Sequence, residues 1–433
     1  MQQAGLEISR AEEEPQFVAY VGIDWAEEEH AWCWQGAGEQ QRESGTFASQ
    51  AGAVELWMGE LVRRFGSGAI AVAVEQTRAA LLWQLSKYQQ LHLYVVAPQT
   101  SAQFRKTFYP SGAKDDPRDA DLLLDLVLMH RRRLRCWAPD TEQTRLVQNL
   151  VEERRNLVDE KTALVNSLTS RLKLYFPQML EWFEAIDTSL TCDLLERWPT
   201  LEQLQSVSPS RLRSFFYRHH SRRRELIESR IRQIREARPA LEDRAIVEVQ
   251  AAVVPILMQL VRKLREGIAM LDRQIAQAAA EHPDYSLFAS LPGAGPVLAP
   301  RLLAAIGTQR DRYQSAGELQ TFSGIAPVIE RSGKKKWVHS RWRCPKFLRQ
   351  SFHEWAGHSI RSSAWARAFY QQQRQRGKGH HAAVRSLAFK WIRIVFRCWQ
   401  DRVLYDENLY LTKLAQRGSS LIALSRGEAV NLP

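Results

Sequence analysis

The chain has 433 residues, 45% hydrophobic and 25% charged, with 60 Lys and Arg against 48 Asp and Glu for a formal charge of +12. That length is too great for one compact core and implies two or three globular domains, while the basic balance points to a polyanionic partner. Five cysteines (Cys33, Cys136, Cys192, Cys344 and Cys398) stand far apart without a CxxC pair, which argues against a disulfide framework or a structural zinc site. Residues 1–16 are acidic and polar, unlike a signal peptide, and no apolar run approaches the ~18 residues a membrane span needs. The nearest, 251–260, carries Pro255 and Gln259, so a soluble cytoplasmic protein is expected.

The first segment alternates strand and helix patterns. FVAYVGID (17–24) is a short apolar run ending at an acid, HAWCWQ (30–35) reads as a second strand, and 45–48 as a third. Residues 54–65 have helical spacing, and AIAVAVE (69–75) is a continuous apolar run suited to a strand buried on both faces. A helix is predicted over 80–90 and a strand over 91–97, closed by Pro98. Hairpin-like strands followed by alternating helices and strands indicate an α/β layer domain, here bounded at 17–140.

Beyond about residue 120 the β signal disappears. Val151, Val158, Val165 and Leu172 stand seven apart, and Leu257, Val261, Leu264, Ile268, Leu271, Ile275 and Ala278 alternate steps of three and four. That is a coiled-coil seam, serving core packing or dimerisation. Pro177, Pro199 and Pro209 break the intervening stretch into shorter helices, giving a helical region over 141–285.

From Ser290 the composition shifts again. Between Arg331 and Arg397 there are seventeen Lys or Arg and one acid, Glu354, interleaved with Trp337, Trp342, Phe347, Phe352, Trp355, Trp365, Phe369, Tyr370 and Trp391. Cations meeting phosphates, with some rings stacking on bases and others forming a core, fit this mixture. The segment divides into a mainly α basic domain at 286–400 and a tail at 401–433. Leu291-Pro-Gly-Ala-Gly-Pro resembles a helix-hairpin-helix turn, in which Gly293 and Gly295 let backbone N–H groups approach a phosphate; an ordinary turn between packed helices is the alternative.

Acids at strand ends are where open α/β sheets place chemistry. Asp24 ends the first apolar run and Glu75 the central one, and Asp116 and Asp119, three apart, share a face on the first turn of a helix. Such crowded carboxylates need a cation among them, and hard oxygen ligands suit Mg²⁺ or Mn²⁺. Taken singly, Asp24 can cap a turn, Glu75 can lie on the surface, and DDPRD can favour a helix N-terminus through the dipole; together and in this order they are harder to dismiss.

The sequence resembles the DEDD transposases of the insertion-sequence one-ten family, which include site-specific DNA invertases. The resemblance rests on VGIDWAEEEH (21–30), AVAVEQT (71–77), VVAP (95–98) and AKDDPRDA (113–120), then on SLPGAGPVLAPRLLAAIG (290–307), FSGIAP (322–327), RSGKKK (331–336) and the basic run 369–397. It implies a RuvC-like (RNase H-like) first domain with Asp24, Glu75, Asp116 and Asp119 as the metal-binding set. Asp115 stands where the family pattern usually has Thr and competes for the ligand role of Asp116, Pro117 sits inside the DxxD pair, and the helical middle is longer than in shorter members.

The resemblance also implies a serine nucleophile at Ser332, activated by neighbouring cations and the metal cluster, that forms a 5′-phosphoserine and frees a 3′-hydroxyl. The residues alone read Ser332 as the start of a tight turn, with Ser340 and Ser323 as fallback nucleophiles. Lys334, Lys335, Lys336, Arg341, Arg343, Lys346, Arg374, Arg376, Lys378 and Arg385 are the expected nucleic-acid contacts. Donor and target DNA, a structured noncoding guide RNA and a homodimer or homotetramer are the implied partners, with nucleoid association in a prokaryotic cell. A RuvC-like nuclease or junction resolvase without a covalent intermediate, and a non-catalytic nucleic-acid-binding scaffold, are the alternatives.

Overall fold

The computed structural model describes residues 15–50, 52–75, 80–108, 116–333, 335–419 and 421, with Asp116 described by its backbone only. The chain forms two compact units, residues 1–139 and 140–433.

The first unit is a mixed α/β domain. Its elements are β1 (Phe17–Asp24), β2 (Glu29–Gly36), β3 (Arg42–Ala48), α1 (Ala53–Phe65), β4 (Ala69–Val74), α2 (Ala80–Leu85), β5 (Leu91–Val95), α3 (Pro98–Phe108), α4 (Asp116–His130) and the two-residue β6 (Cys136–Trp137). The sheet order is β3-β2-β1-β4-β5-β6. β1, β2 and β3 pair antiparallel, β1, β4 and β5 parallel, and β6 runs antiparallel on the edge.

Each face of the sheet has its own core, because β4 is apolar on both sides. Ile70, Val72 and Val74 join Trp34, Trp57, Leu61 and Leu82 on one face, while Ala71 and Ala73 meet Ala120, Leu123 and Leu124 of α4 on the other. Small residues on that second face let α4 sit close. A Cβ on Gly22 would lie 2.1 Å from the Ala120 carbonyl oxygen and 2.4 Å from the Leu124 nitrogen, so the helix backbone rests directly on β1. Arg42 clamps the same helix through Asp121 and Asp125, each at 2.6 Å.

The second unit is built on two long helices, α5 (Glu142–Tyr175) and α11 (Arg244–Ala280). They run antiparallel, since Arg154 pairs with Asp272 at 2.5 Å near one end and Arg171 donates to Gln250 at 2.9 Å near the other. The helices between them are α6 (Gln178–Trp182), α7 (Ser189–Arg197), α8 (Leu201–Ser206), α9 (Pro209–Arg218) and α10 (Arg224–Glu236). They close a core in which Leu168 and Leu172 meet Val254, Met258 and Val261.

At the other end of the pair a second core joins Val147, Val151 and Ile275 to α12 (Tyr285–Ala289), α13 (Gly295–Ile306), α14 (Ala316–Phe322), α15 (Lys346–Ser362), α16 (Ala364–Gln375) and α17 (His380–Asp401). Trp355, Trp365, Trp391 and Trp399 are its largest fully buried side chains. The strands β7 (Val328–Ser332) and β8 (Lys335–His339) form a hairpin, and α18 (Glu407–Gln416) packs Tyr410 and Leu411 on the core.

Several sequence expectations change here. The helix expected over 80–90 stops at Leu85, because the chain tightens into turns where Tyr88 N–H bonds the Leu85 carbonyl and Ser86 Oγ bonds that of Trp83. β structure also persists past residue 120. β6 is too short to show alternation, and β7 and β8 are exposed on nearly every residue, so neither carries an apolar period. The seam residues Val261, Leu271 and Ile275 are buried, and the partner α11 packs along here is α5 of the same chain.

By length and composition alone α11 is apolar enough to cross a membrane, but its Val254, Met258 and Val261 are committed to a protein core. The rings interleaved with the basic run are mostly interior: Phe352, Trp355, Trp365 and Trp391 are buried, whereas Trp337 and Trp342 are exposed.

Candidate active site and nucleic-acid interface

In the first unit the parallel pairing of β1 with β4 sets Ile23 opposite Val74, so Asp24 and Glu75 fall on the next rung of adjacent strands. Neighbouring strands lie about 4.8 Å apart, and side chains alternate between faces. Ile23 and Val74 enter the α1–α2 core, which assigns the two acids to the opposite face, the one α4 covers. Strand register therefore sets two acids that are 51 positions apart in sequence at the same end of two adjacent strands.

Two residues of α3 attend this face. Ser101, itself buried, donates its hydroxyl to Glu75 Oε2 at 3.0 Å and to the Pro98 carbonyl at 3.0 Å. Arg105 Nη2 lies 2.6 Å from Asp119 Oδ1, and Asp119 is almost wholly buried at the start of α4. Sequence reading missed both, because α3 begins at the proline that reads as the end of a strand. Their spacing of four places them on one helical face and is the signal that was available.

The carboxylates Asp24 and Glu75 fit a hard divalent cation in donor type and in register. Asp119 is ion-paired with Arg105. Among the described residues no three His, Cys, Asp or Glu side chains gather as a metal cluster. Asp115 and the side chain of Asp116 lie outside the described residues, so the expected quartet is seen in part.

In the second unit Ser332 is exposed and is the last residue of β7, paired across the hairpin with Lys335. Gly333, at φ +57°, enters the two-residue turn, a backbone conformation that favours glycine. Lys334 lies outside the described residues. Ser340 follows β8 and its Oγ accepts a hydrogen bond from Arg385 Nη1 at 3.0 Å. Ser323 is fully buried and donates to the Gln320 carbonyl, out of reach of a large substrate.

The expected cationic residues present a charged surface. Lys335, Lys336, Arg343, Lys346, Arg374, Arg376 and Lys378 are exposed, and Arg341 and Arg385 are half-buried. Glu354, the one acid of the stretch, is already engaged by Arg301 and lies 3.8 Å from Arg155. Positive charge without acidic partners is what phosphate contacts require.

The expected turn separates its two glycines. Gly293, at φ +73°, is pressed against α15, where a Cβ would come within 3.0 Å of the His358 carbonyl; Gly295, at φ +54°, is exposed at the start of α13. Trp355 Nε1 donates to the Pro292 carbonyl at 3.0 Å, so this turn also locks core helices together. A cluster absent from the sequence reading, Arg349, His353 and His381, lines a cavity with Arg341 and Arg385. These residues come from three separate stretches of chain, and no local motif marks them.

Residues 21–177 match the DEDD transposase domain of IS110, and residues 285–371 match the transposase IS116/IS110/IS902 family. The mini-circle putative transposase for IS117 of Streptomyces coelicolor is 27% identical over 93% of this chain and 99% of its own length. The insertion element IS110 uncharacterised 43.6 kDa protein of S. coelicolor is 25% identical over 70% of this chain and 74% of its own. A 42 kDa protein of IS900 from Mycobacterium paratuberculosis is 24% identical over 69% of this chain and 74% of its own. With the strand-end acids in the first matched region and the hairpin serine in the second, the chain belongs to the IS110 family of DEDD transposases.

Proposed function

We propose that this transposase cuts and rejoins DNA through a carboxylate cluster and a serine nucleophile, guided by a noncoding RNA of its own element and working as a homodimer or homotetramer. The observation that carries the reading is the parallel register that sets Ile23 opposite Val74, each directly followed by an acid, Asp24 and Glu75. The strand order β3-β2-β1-β4-β5, antiparallel then parallel, supports a RuvC-like first domain. Asp24, Glu75, Asp116 and Asp119 would hold Mg²⁺ or Mn²⁺, which when bound supplies Lewis-acid stabilisation of charge on phosphate oxygens.

Ser332 Oγ attacks the phosphorus of a DNA phosphodiester and gives up its proton. The P–O3′ bond breaks, the 3′ oxygen takes a proton, and the 5′ side stays on the serine as a phosphodiester. Attack by the 3′-hydroxyl of another strand reverses these steps and frees Ser332. One P–O bond forms for each that breaks, so rejoining needs no nucleotide cofactor. Exposure at a hairpin tip beside Lys335 and Lys336 suits this role, since cations favour the alkoxide.

The basic surface of the second unit holds DNA and RNA backbones. Incubating the protein and its co-purifying RNA with labelled element-junction DNA tests the carboxylate role. Cleavage with Mg²⁺ that disappears with chelator, and in Asp24→Asn and Glu75→Gln, is expected; cleavage persisting in either variant would overturn it.

A further inference from the structure

The cavity between the foot of the β7–β8 hairpin, α15 and α17 has a volume of about 300 Å³, and Ser340, Arg341, Trp342, Arg349, His353 and Arg385 line it. Two of its three guanidinium groups are held in place by the protein. Arg385 donates to Ser340 Oγ at 3.0 Å, and Arg349 donates to the Arg341 carbonyl at 3.2 Å. The third, Arg341, has its Nε shielded from solvent with no hydrogen-bond partner among the described residues. A buried donor without an acceptor is unfavourable until something supplies one.

Charge in the cavity is not cancelled. Glu354 is its one acid, and Arg301 takes that carboxylate from the side. His353 and His381 touch each other at 3.4 Å between Nε2 and Nδ1 and add polar ring edges to the lining. Burial, then the neighbouring Arg385, His381 and His380, lower the His353 pKa, and the excess positive charge of the lining rests on its arginines. An anionic oxygen group answers all of these features, and forked guanidinium donors match phosphate geometry.

A second observation narrows the anion. Trp342 belongs to the same cavity and is 81% exposed, with Trp337 nearby in sequence 43% exposed. These rings are left out of a core that buries Trp355, Trp365, Trp391 and Trp399 completely. A flat aromatic face beside a phosphate-sized cluster of arginines is the arrangement that receives a base together with its backbone. In a duplex both faces of an interior base are already stacked, so the ring selects an unpaired nucleotide.

We infer that this cavity is a nucleotide pocket for single-stranded nucleic acid, with the phosphodiester held by Arg341, Arg349 and Arg385 and the base stacked on Trp342. The inference rests on the nucleic-acid reading of the basic surface and adds strand state to it. An unpaired strand is what a recombining junction or a guide RNA loop presents, and the two share this chemistry. Along β8 the pocket lies roughly 17 Å from the hairpin tip, at about 3.4 Å per residue. The captured nucleotide is therefore distinct from the one Ser332 attacks.

Binding of fluorescein-labelled 20-nucleotide DNA, RNA of the same sequence, and the DNA duplex to the full-length protein tests this. Trp342→Ala, Trp342→Phe and Arg385→Ala are compared with wild type at several salt concentrations, with thermal melts checking each fold. Trp342→Ala is expected to weaken binding of one or both single strands about tenfold and of the duplex less than twofold, with Phe restoring most of the loss. Arg385→Ala is expected to flatten the salt dependence for a single strand by about 0.7 in log–log slope. Which single strand suffers more identifies the source, DNA or RNA. Equal losses for duplex and single strands, or no loss in either Trp342 variant, would overturn the pocket while leaving the basic surface in place. Failure of wild type to bind any of the three nucleic acids would overturn both readings.

Discussion

At the scale of single residues, positions that only a small side chain can fill govern where the acids stand. Gly22 lets α4 lie against β1, and α4 carries Asp119 and the backbone of Asp116. Gly22→Ala is expected to push that helix outward, costing about 1–3 kcal/mol as overpacking does and reducing DNA cleavage as well. Urea unfolding together with a cleavage assay checks this; unchanged stability would show that α4 does not depend on the close approach. Ser101→Ala removes the hydroxyl that orients Glu75, and a drop in cleavage of roughly tenfold with little change in melting temperature is expected, the size of one hydrogen bond to a charged group. Asp24 and Glu75 were legible in the sequence because each ends an apolar run that must be a buried strand. Ser101 and Arg105 were not, since their spacing of four marks only a shared face of α3, and what that face meets is set by the tertiary approach of the helix.

At the scale of elements, a polar latch joins the start of α5 to the end of α13. Asp140 lies 2.6 Å from Arg312, accepts from the Thr308 N–H at 3.0 Å and from Gln148 at 3.0 Å. Gly307, at φ +76°, makes room for it, because a Cβ there would meet Arg312 Nη1 at 2.4 Å and Asp140 Oδ2 at 2.7 Å. Burial alone would raise the Asp140 pKa, yet Arg312 and the Thr308 N–H outweigh it and hold the carboxyl below its ordinary value. A folded pKa below the unfolded one means stability present above about pH 4 and lost as pH falls through the lowered value. Asp140→Asn is expected to cost about 3 kcal/mol at pH 7, and the gap from wild type should shrink as pH drops below 4. Denaturant titrations at pH 7 and pH 3 measure it; an equal gap at both would deny the ionised latch. The long helices were legible from their spacing. The β7–β8 hairpin was not, because a strand pair exposed on nearly every residue has no burial pattern to imprint on its sequence.

At the scale of the whole molecule, the proposed chemistry is divided between a sheet that carries the strand-end acids and a helical unit that carries the hairpin serine and the basic surface. The divide follows composition: strand-end acids lie before residue 120, and the excess of +16 lies between Arg331 and Arg397. Net charge and the two blocks of motifs made a nucleic-acid enzyme legible. The aromatic content of the basic block left open which rings pack and which face outward, because a tryptophan-rich core and a stacking surface have the same composition and only burial tells them apart.

The most direct measurement is a denaturing gel of the protein with its co-purifying RNA, labelled junction DNA and Mg²⁺, comparing wild type with Ser332→Ala and Asp24→Ala. A covalent protein–DNA adduct in wild type that is missing from both variants is the predicted result. Cleavage without an adduct, unaffected by Ser332→Ala, would contradict the serine mechanism and leave a metal-dependent nuclease.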